Sequence, residues 1–318
     1  MLKEFRIAKY QLKIEAGRDG LSLPEYKGST FRGGFGSTFR KVVCSQKNTE
    51  CQECLLKSTC PYAYIFETFP PQGALALRNY ESIPRPFVIE PPTERMTEYK
   101  PGEVLHFNLI LVGKAVQYLP YFVVVFRELG SIGIGRGRKK YRLKEIAAVS
   151  EPTAKKEKIY SCCDELMRNV DLTMRGCDFW EVPAKKESLA IDFETMTRLK
   201  FEKNFVQTIE FHVLVRNLLR RLSSLYYFHH DCELSLDFNS LIRKAEDVAI
   251  IADHSRWADW ERYSNRQEKR MNLGGVVGRV EYRGEWYEFW PLLKLGELVH
   301  VGKAATFGMG KYKMIEYV

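Results

Sequence analysis

The sequence predicts an α+β protein built from two related halves. Residues 118–143 resemble residues 288–314, because each segment begins an apolar helix at a proline and continues into a glycine loop. In both, a Gly-x-Gly with a following basic residue then leads into a basic strand. With 45% hydrophobic and 13% aromatic residues in a chain of 318, two cores of ordinary size can be buried.

The first half is expected to begin with a strand and a glycine-containing helix. Residues 4–15 alternate apolar and polar side chains, which is typical of a half-buried strand. Residues 27–43 place an apolar side chain on one helical face at Phe31, Phe35, Phe39 and Val42. The three glycines inside this helix destabilise it by roughly 1 kcal/mol each relative to alanine. They therefore indicate that another helix or a phosphate chain approaches this backbone closely.

The remaining elements complete the same plan in each half. A strand at 105–113, a helix at 116–129 and a strand ending near 149 follow in the first half. The second half predicts a strand at 195–201, a helix at 211–228, a strand at 274–284, a helix at 289–298 and a final strand at 311–318. This order matches the ferredoxin-like βαββαβ plan. The sequence thus predicts tandem ferredoxin-like (RNA-recognition-motif-like) domains at 1–150 and 190–318.

The charge balance favours a polyanionic partner. Lys and Arg number 49 against 40 Asp and Glu, a formal net charge of +9. A merely solubilising charge is the alternative. We expect neither a secretory signal nor a membrane span, and hence a reducing cytoplasm in which clustered cysteines indicate a metal before a disulfide.

Basic residues concentrate in loops suited to phosphate. Six occur between residues 130 and 144 with no acidic residue among them, and the glycines there let backbone N–H groups face an anion. No Gly-Lys-Ser/Thr follows and no helix begins at the Gly-x-Gly, which excludes nucleotide-hydrolase and dinucleotide loops. Residues 257–271 interleave aromatics with arginines, as in single-strand RNA binding or as in a solvated amphipathic helix. The candidate RNA-binding residues are Arg136, Arg138, Lys139, Lys140, Arg262, Arg266, Arg270, Lys311 and Lys313.

Four cysteines lie close together in the first half, within residues 44–60. They are Cys44, Cys51, Cys54 and Cys60, and the Cys51–Cys54 spacing is that of a metal knuckle. Four thiolates predict a structural zinc site, and an iron–sulfur cluster uses the same ligands. Because four thiolates leave no open position, this metal would not be catalytic. Buried free thiols are the alternative.

Several motifs, in order, resemble one known family. They are KGSTFRGGFG, the Cys-x-x-Cys with CPYAYIFE, RPFVIEPP, GIGRGRKKYRL, RYSNRQ with MNLGGVVG, and HVGKAATFGMGKY. The chain is thereby similar to the CRISPR-associated precursor-RNA processing endoribonucleases of the repeat-associated (RAMP) superfamily. The resemblance implies that CRISPR repeat RNA is cleaved to guide RNA without a catalytic metal. The 2′-hydroxyl would attack its own phosphate, giving a 2′,3′-cyclic phosphate and a 5′-hydroxyl.

The resemblance also implies where catalytic residues are sought. The family often supplies a histidine from the first helix, but the first histidine of this chain is His106. We therefore predict His300, at the opening of the 302–311 glycine loop, with Lys303 beside it and Tyr26 and Arg32 from the first half. A noncatalytic guide-RNA-binding subunit of a CRISPR effector complex is the main alternative, and other effector subunits are candidate partners. A metal-stabilised nucleic-acid-binding factor is the second.

Overall fold

The computed structural model describes residues 2–69, 83–181, 187–264 and 269–315. The chain divides into two compact units, each described by itself. The N-terminal unit comprises Arg6–Met174 and Phe228–Asp231, and the C-terminal unit comprises Met1–Phe5, Arg175–Tyr227 and Cys232–Val318. The domain boundaries read from the sequence stay a prediction.

The N-terminal unit forms an antiparallel sheet that contains the three predicted strands and others that the sequence did not predict. Its strands are β1 (Arg6–Ala16), β2 (Leu21–Ser22), β3 (Phe87–Glu90), β4 (Glu98–Tyr99), β5 (Val104–Val112), β6 (Tyr141–Ser150), β7 (Lys155–Ser161) and β8 (Met174–Arg175), the last of which ends in the other unit. Its helices are α1 (Gly28–Val43) and α2 (Leu119–Ile132). The larger sheet has the order β3-β5-β1-β6-β7. Pro120 lies in the first turn of α2, where its missing N–H breaks no helical hydrogen bond.

Aromatic side chains fill the core between this sheet and the two helices. Phe31 of α1 stacks on Phe107 of β5, with ring centroids 4.5 Å apart. Phe35 lies 4.8 Å from the rings of both Phe122 and Phe126 of α2. The predicted apolar face of α1 is therefore confirmed, although Val42 at its end is exposed.

The C-terminal unit repeats this arrangement. Its strands are β9 (Ser188–Thr197), β10 (Lys200–Phe201), β11 (Asn204–Phe205), β12 (Ala249–Ala258), β13 (Glu261–Ser264), β14 (Lys269–Asn272), β15 (Gly275–Arg283) and β16 (Tyr312–Ile315). Its helices are α3 (Phe211–His230), which ends in the other unit, α4 (Phe238–Glu246) and α5 (Trp290–Val299). Five apolar residues of α3 predicted to share one face are fully buried: Phe211, Val215, Leu218, Leu222 and Leu225.

The two larger sheets have equivalent strand orders. The C-terminal sheet runs β12-β15-β9-β16, and the N-terminal one runs β3-β5-β1-β6 before β7 is added. In the N-terminal sheet β1 lies between β5 and β6, and in the C-terminal sheet β9 lies between β15 and β16. All of these pairs are antiparallel. The repeated segments form α2 and the start of β6 in the N-terminal unit, and α5 and β16 in the C-terminal unit. None of the helices in the described part of the chain has the length and apolar character of a membrane crossing.

Two of the three interior glycines of α1 have a packing reason. A β-carbon at Gly36 would lie 2.6 Å from the Phe66 ring, and one at Gly34 would lie 3.0 Å from Leu129 of α2. At Gly33 no heavy atom comes within 4 Å of that position. The close approach expected from the sequence is thus made by protein at Gly34 and Gly36, and Gly33 faces open space.

We predict opposite stability effects at two of these glycines. Gly33→Ala should raise the free energy of unfolding by about 0.5–1 kcal/mol, because alanine is the better helix former and has room. Gly36→Ala should lower it by about 1–3 kcal/mol, because the added methyl overpacks against Phe66. Denaturant unfolding of both variants measures this, and equal midpoints would contradict the packing described here.

Candidate nucleic-acid interface

The loop between α2 and β6 is a tight turn held by its own backbone. Ile134 and Lys139 exchange hydrogen bonds, with N–O distances of 2.9 and 3.1 Å. Gly133, Gly135 and Gly137 all have positive φ angles. A β-carbon at Gly133 would overlap the carbonyl oxygen of Arg138, so the turn requires glycine there. The backbone therefore fixes where the basic residues between these glycines emerge.

Four basic side chains of this loop have no partner in the described structure. The side chains of Arg136, Arg138, Lys139 and Lys140 make no hydrogen bond or ion pair there, and all but the half-buried Lys139 are exposed. Further along, the Lys144 ammonium pairs with Glu15 at 3.1 Å. The four cations before it, by contrast, are available to phosphate.

The corresponding loop of the C-terminal unit begins at a helix end capped by a half-buried arginine. Arg221 of α3 donates two hydrogen bonds to the carbonyl oxygen of Val299, at 3.0 and 2.7 Å. Burial lowers the pKa of Arg221 to about 10, so it remains charged at neutral pH. A cation on the last carbonyl of α5 also complements the helix dipole. Arg221 thus fixes the point at which the glycine loop leaves the helix.

The rest of this loop is bonded to β9 and the residues after it. The Thr195 hydroxyl donates to the Gly308 carbonyl and accepts from the Lys311 N–H, both at 2.9 Å. The N–H of Gly310 donates to the Met196 carbonyl at 3.1 Å. A β-carbon at Gly310 would overlap the Val301 carbonyl oxygen. This loop is consequently a rigid part of the fold.

His300 lies inside this loop and not on its surface. It is 0% exposed, its φ is 61°, and its Nδ1 lies 3.1 Å from the Met309 carbonyl oxygen. Because a carbonyl only accepts, Nδ1 carries the proton in this contact. The structure therefore places the predicted catalytic histidine where it holds the loop closed.

The lysines of the loop differ in exposure. Lys303 and Lys313 are exposed, whereas Lys311 is half-buried and its ammonium lies 3.0 Å from a carboxylate oxygen of Glu194. Lys303 donates its backbone N–H to the Arg198 carbonyl at 3.1 Å, which fixes its position. Lys303 and Lys313 are thus the better placed of the three to meet an anion.

Tyr26 and Arg32 lie at the start of α1 in the N-terminal unit. Tyr26 is half-buried just before the helix, and the Arg32 guanidinium lies 4.9 Å from the Phe66 ring centroid. Between them, Lys27 is 0% exposed, and its ammonium donates to the carbonyls of Glu94 at 2.9 Å and Glu25 at 3.2 Å. Burial lowers the pKa of Lys27, against the opposing effect of the Glu94 and Glu25 carboxylates.

Lys27 was not singled out from the sequence. A buried lysine that donates to two carbonyls holds the segment carrying Tyr26 in place. A lone lysine before a helix has no sequence signal that separates it from a solvated one, so only the structure could find it.

The predicted aromatic and arginine cluster at 257–271 forms strands. Arg262 lies on β13 and Arg270 on β14, which pair as a hairpin, and Arg266 lies outside the described residues. The amphipathic-helix alternative for this segment is therefore wrong. The hairpin begins after Trp257, whose indole N–H donates to Asp259 at 3.0 Å.

The predicted four-cysteine metal site is not shown by the structure. All four are half-buried free thiols. Within the described residues, no group of three or more His, Cys, Asp or Glu side chains is placed to hold a metal ion. Cys51 and Cys60 are half-buried and pack against the hydrophobic core. Burial raises the pKa of the Cys51 thiol, Glu67 adds to the effect and Arg40 opposes it.

Two family models match the chain in succession. A model described as an N-terminal domain matches residues 5–172, and the model of the CRISPR-associated endoribonuclease Cas6 matches residues 191–312. An uncharacterized protein of Archaeoglobus fulgidus is 26% identical over 299 residues, which cover 92% of each chain.

Solved structures of low sequence identity share the fold. The product complex of Thermus thermophilus Cas6 is similar with a TM-score of 0.58 at 14% identity, over 97% of this chain and 100% of that one. A chain of a partial Cas6-RT-Cas1–Cas2 complex is similar with a TM-score of 0.55 at 13% identity, over 99% of this chain and 47% of that one.

We predict that the N-terminal basic loop makes RNA binding depend on salt. Changing Arg136, Arg138, Lys139 and Lys140 together to Ala should weaken affinity for repeat RNA. It should also flatten the plot of log affinity against log salt by up to about three units, because fewer counterions are released. Titrations at several salt concentrations measure the slope.

A control variant removes the same charge from cations that already have carboxylate partners. These are Lys114, Arg168, Lys244 and Lys294. Its slope should stay near that of the unaltered protein. If the loop variant and the control have the same slope, the loop does not contact phosphate.

The metal content stays a prediction of the sequence. That prediction is about one zinc ion or one iron–sulfur cluster per chain, lost when Cys51→Ser and Cys54→Ser are combined, with destabilisation of the N-terminal half. Elemental analysis of protein purified under reductant measures it. Finding neither metal would agree with the positions of the thiols and remove the prediction.

Proposed function

We propose that the chain is a CRISPR-associated RNA-processing protein, which binds CRISPR repeat RNA and cleaves it to mature guide RNA; the match of residues 191–312 to the Cas6 model supports this. The observation that carries the proposal is the pair of glycine-rich loops at equivalent places of two sheets with equivalent strand orders. In the N-terminal loop, the glycines present four unpartnered cations to solvent.

The proposed fold assignment is a tandem ferredoxin-like pair. Each unit has the strand order and helix positions of the βαββαβ plan. Such a sheet carries its helices on one face and leaves the other for RNA, as in RNA-recognition motifs. Association with other CRISPR subunits is proposed from the likeness to the Cas6-containing chain of a larger complex.

The proposed reaction needs no metal. The 2′-oxygen forms a bond to the adjacent phosphorus while the bond from phosphorus to the 5′-oxygen breaks. A base takes the proton of the 2′-hydroxyl, an acid protonates the leaving 5′-oxygen, and a cation stabilises the charge of the transition state. The products are a 2′,3′-cyclic phosphate and a 5′-hydroxyl.

The positions of the candidate catalytic residues support their proposed roles to different degrees. Lys303 is exposed beside the C-terminal loop and suits the cationic role. His300 is fully buried, so proton transfer to RNA by its ring requires the loop to open. Tyr26 and Arg32, at the start of α1, remain candidates for the acid, the base or the cation.

A noncatalytic guide-RNA-binding subunit is the second candidate function. The burial of His300 and its bond to Met309 favour it, since a ring closed inside the fold serves structure. The sequence has no histidine in the first helix either. In this alternative the protein binds guide RNA at the same surface but does not cleave it.

We predict cleavage of labelled CRISPR repeat RNA in the presence of EDTA. Replacing the attacking 2′-hydroxyl by hydrogen should abolish cleavage and leave binding nearly intact, because only the nucleophile is removed. Gel analysis of the products and a filter-binding titration measure the two properties. Tight binding without cleavage of the unmodified RNA would establish the noncatalytic function instead.

We predict that His300→Ala slows cleavage by roughly 10²–10⁴, the usual contribution of a positioned proton-transfer group. Affinity for RNA should change little if the ring acts in the transition state. A pH–rate profile separates this from a structural role, because loss of a catalytic histidine removes one limb of the profile. If the profile keeps its shape and only the melting temperature falls, His300 is structural, and Lys303→Ala, Tyr26→Phe and Arg32→Ala become the variants to measure.

A further inference from the structure

A short hairpin beside the C-terminal glycine loop carries an aromatic ring among cations. Strands β10 and β11 pair Lys200 with Phe205 and Phe201 with Asn204. The hairpin is anchored at its base, where Leu199 is buried and the Phe201 ring meets His212 of α3, with centroids 5.2 Å apart. Its position in the C-terminal unit is therefore fixed by the core, while its tip is exposed.

Phe205 is the exposed aromatic residue of this hairpin. It is 37% exposed, and two cations lie over its ring. The Arg198 guanidinium is 4.2 Å from the ring centroid and the Lys200 ammonium is 5.1 Å from it. Cations at these distances are attracted by the ring and hold it in one orientation.

Arg198 connects the hairpin to two neighbouring segments. Its Nη1 donates to the Asn272 carbonyl at the end of the β13–β14 hairpin, at 3.0 Å. Its own carbonyl accepts the N–H of Lys303 at 3.1 Å. Phe205 is thus supported by a guanidinium that is itself fixed, next to the glycine loop proposed to contact RNA.

The turn of the hairpin has a strained backbone, because neither of its central residues is glycine. Glu202 and Lys203 occupy its two central positions with φ angles of 48° and 69°. Turns of this kind ordinarily use Asn-Gly, because other residues meet steric resistance at positive φ. The strained turn keeps Lys203 and Phe205 in a defined place, and strain of this kind is concentrated at binding sites.

We propose that Phe205 is a stacking platform for one unpaired base of single-stranded RNA, with Lys200 and Lys203 contacting the flanking phosphates. The inference rests on the proposed function and extends it to a subsite. An exposed ring flanked by cations is the arrangement by which proteins hold single-stranded nucleic acid, since every base has a face that stacks. A protein partner is less suited, because two cations lie over the ring and its apolar neighbours in sequence, Phe201 and Val206, are half-buried.

The experiment compares two substitutions of the ring. Phe205→Leu keeps an apolar side chain and removes the stacking face, and Phe205→Trp restores a larger face. Affinity for a short labelled oligouridine should fall by about 10-fold or more in Phe205→Leu and recover in Phe205→Trp. The salt slope should stay constant in both, because no charge is lost. Lys200→Ala should instead flatten the slope by about 0.7.

A control and a second probe complete the test. Ile251→Ala removes another exposed apolar side chain of the C-terminal unit and should leave affinity unchanged. A blunt RNA duplex should bind equally to Phe205→Leu and to the unaltered protein, because its bases are already stacked. Circular dichroism melting of each variant confirms that the unit is folded.

The outcomes separate this inference from the proposed function. If the unaltered protein binds oligouridine and folded Phe205→Leu binds equally well, the stacking platform is wrong while RNA binding stands. Equal weakening by Leu and Trp also overturns it, because the aromatic face then has no part in binding. If the unaltered protein binds neither oligouridine nor repeat RNA, the proposed function fails, and the subsite with it.

Discussion

Each half of the protein is closed by a glycine at which the chain passes too near another backbone segment to carry a side chain. A β-carbon at Gly133 would overlap the carbonyl oxygen of Arg138, and one at Gly310 would overlap that of Val301. Both glycines have positive φ angles, which other residues rarely adopt. These two contacts set the shape of the loops that join α2 to β6 and α5 to β16. The positions of Arg136 and Lys303 depend on that shape.

Hydrophobic spacing accounts for much of what could be predicted. The helical stripe at Phe31, Phe35 and Phe39 is buried as expected, because burial of a repeated apolar face dominates the choice of element. The sequence around Arg262 and Arg270 was also compatible with a helix, because the spacing of its aromatic residues and arginines does not separate the 3.6-residue helical repeat from the two-residue strand repeat. Strand pairing across a turn decided the question, and pairing partners are not encoded in local spacing.

The candidate site was harder to predict, because it depends on the path of the backbone. The Cys51–Cys54 spacing is compatible with a metal knuckle, but a metal needs all its ligands to converge, and local spacing does not determine whether Cys44 and Cys60 join that pair. The burial of His300 follows from its positive φ and its bond to Met309, neither of which spacing reveals. Phe205 escaped notice for a related reason: its turn has Glu-Lys where a recognisable hairpin signal has Asn-Gly.

The two glycine loops share a backbone design and differ in how their charge is used. In the N-terminal loop, the cations have no partner within the described residues, so their field is unscreened by carboxylates. In the C-terminal loop, Lys311 is paired with Glu194, and the bonds of Thr195 and Arg221 give rigidity instead. Free cations attract any phosphate chain, and their effect weakens with salt. A rigid loop beside the fixed ring of Phe205 would, under the proposed function, select by shape and stacking, which salt affects little. The proposal thus gives general attraction for RNA to the first loop and local positioning of the strand to the second.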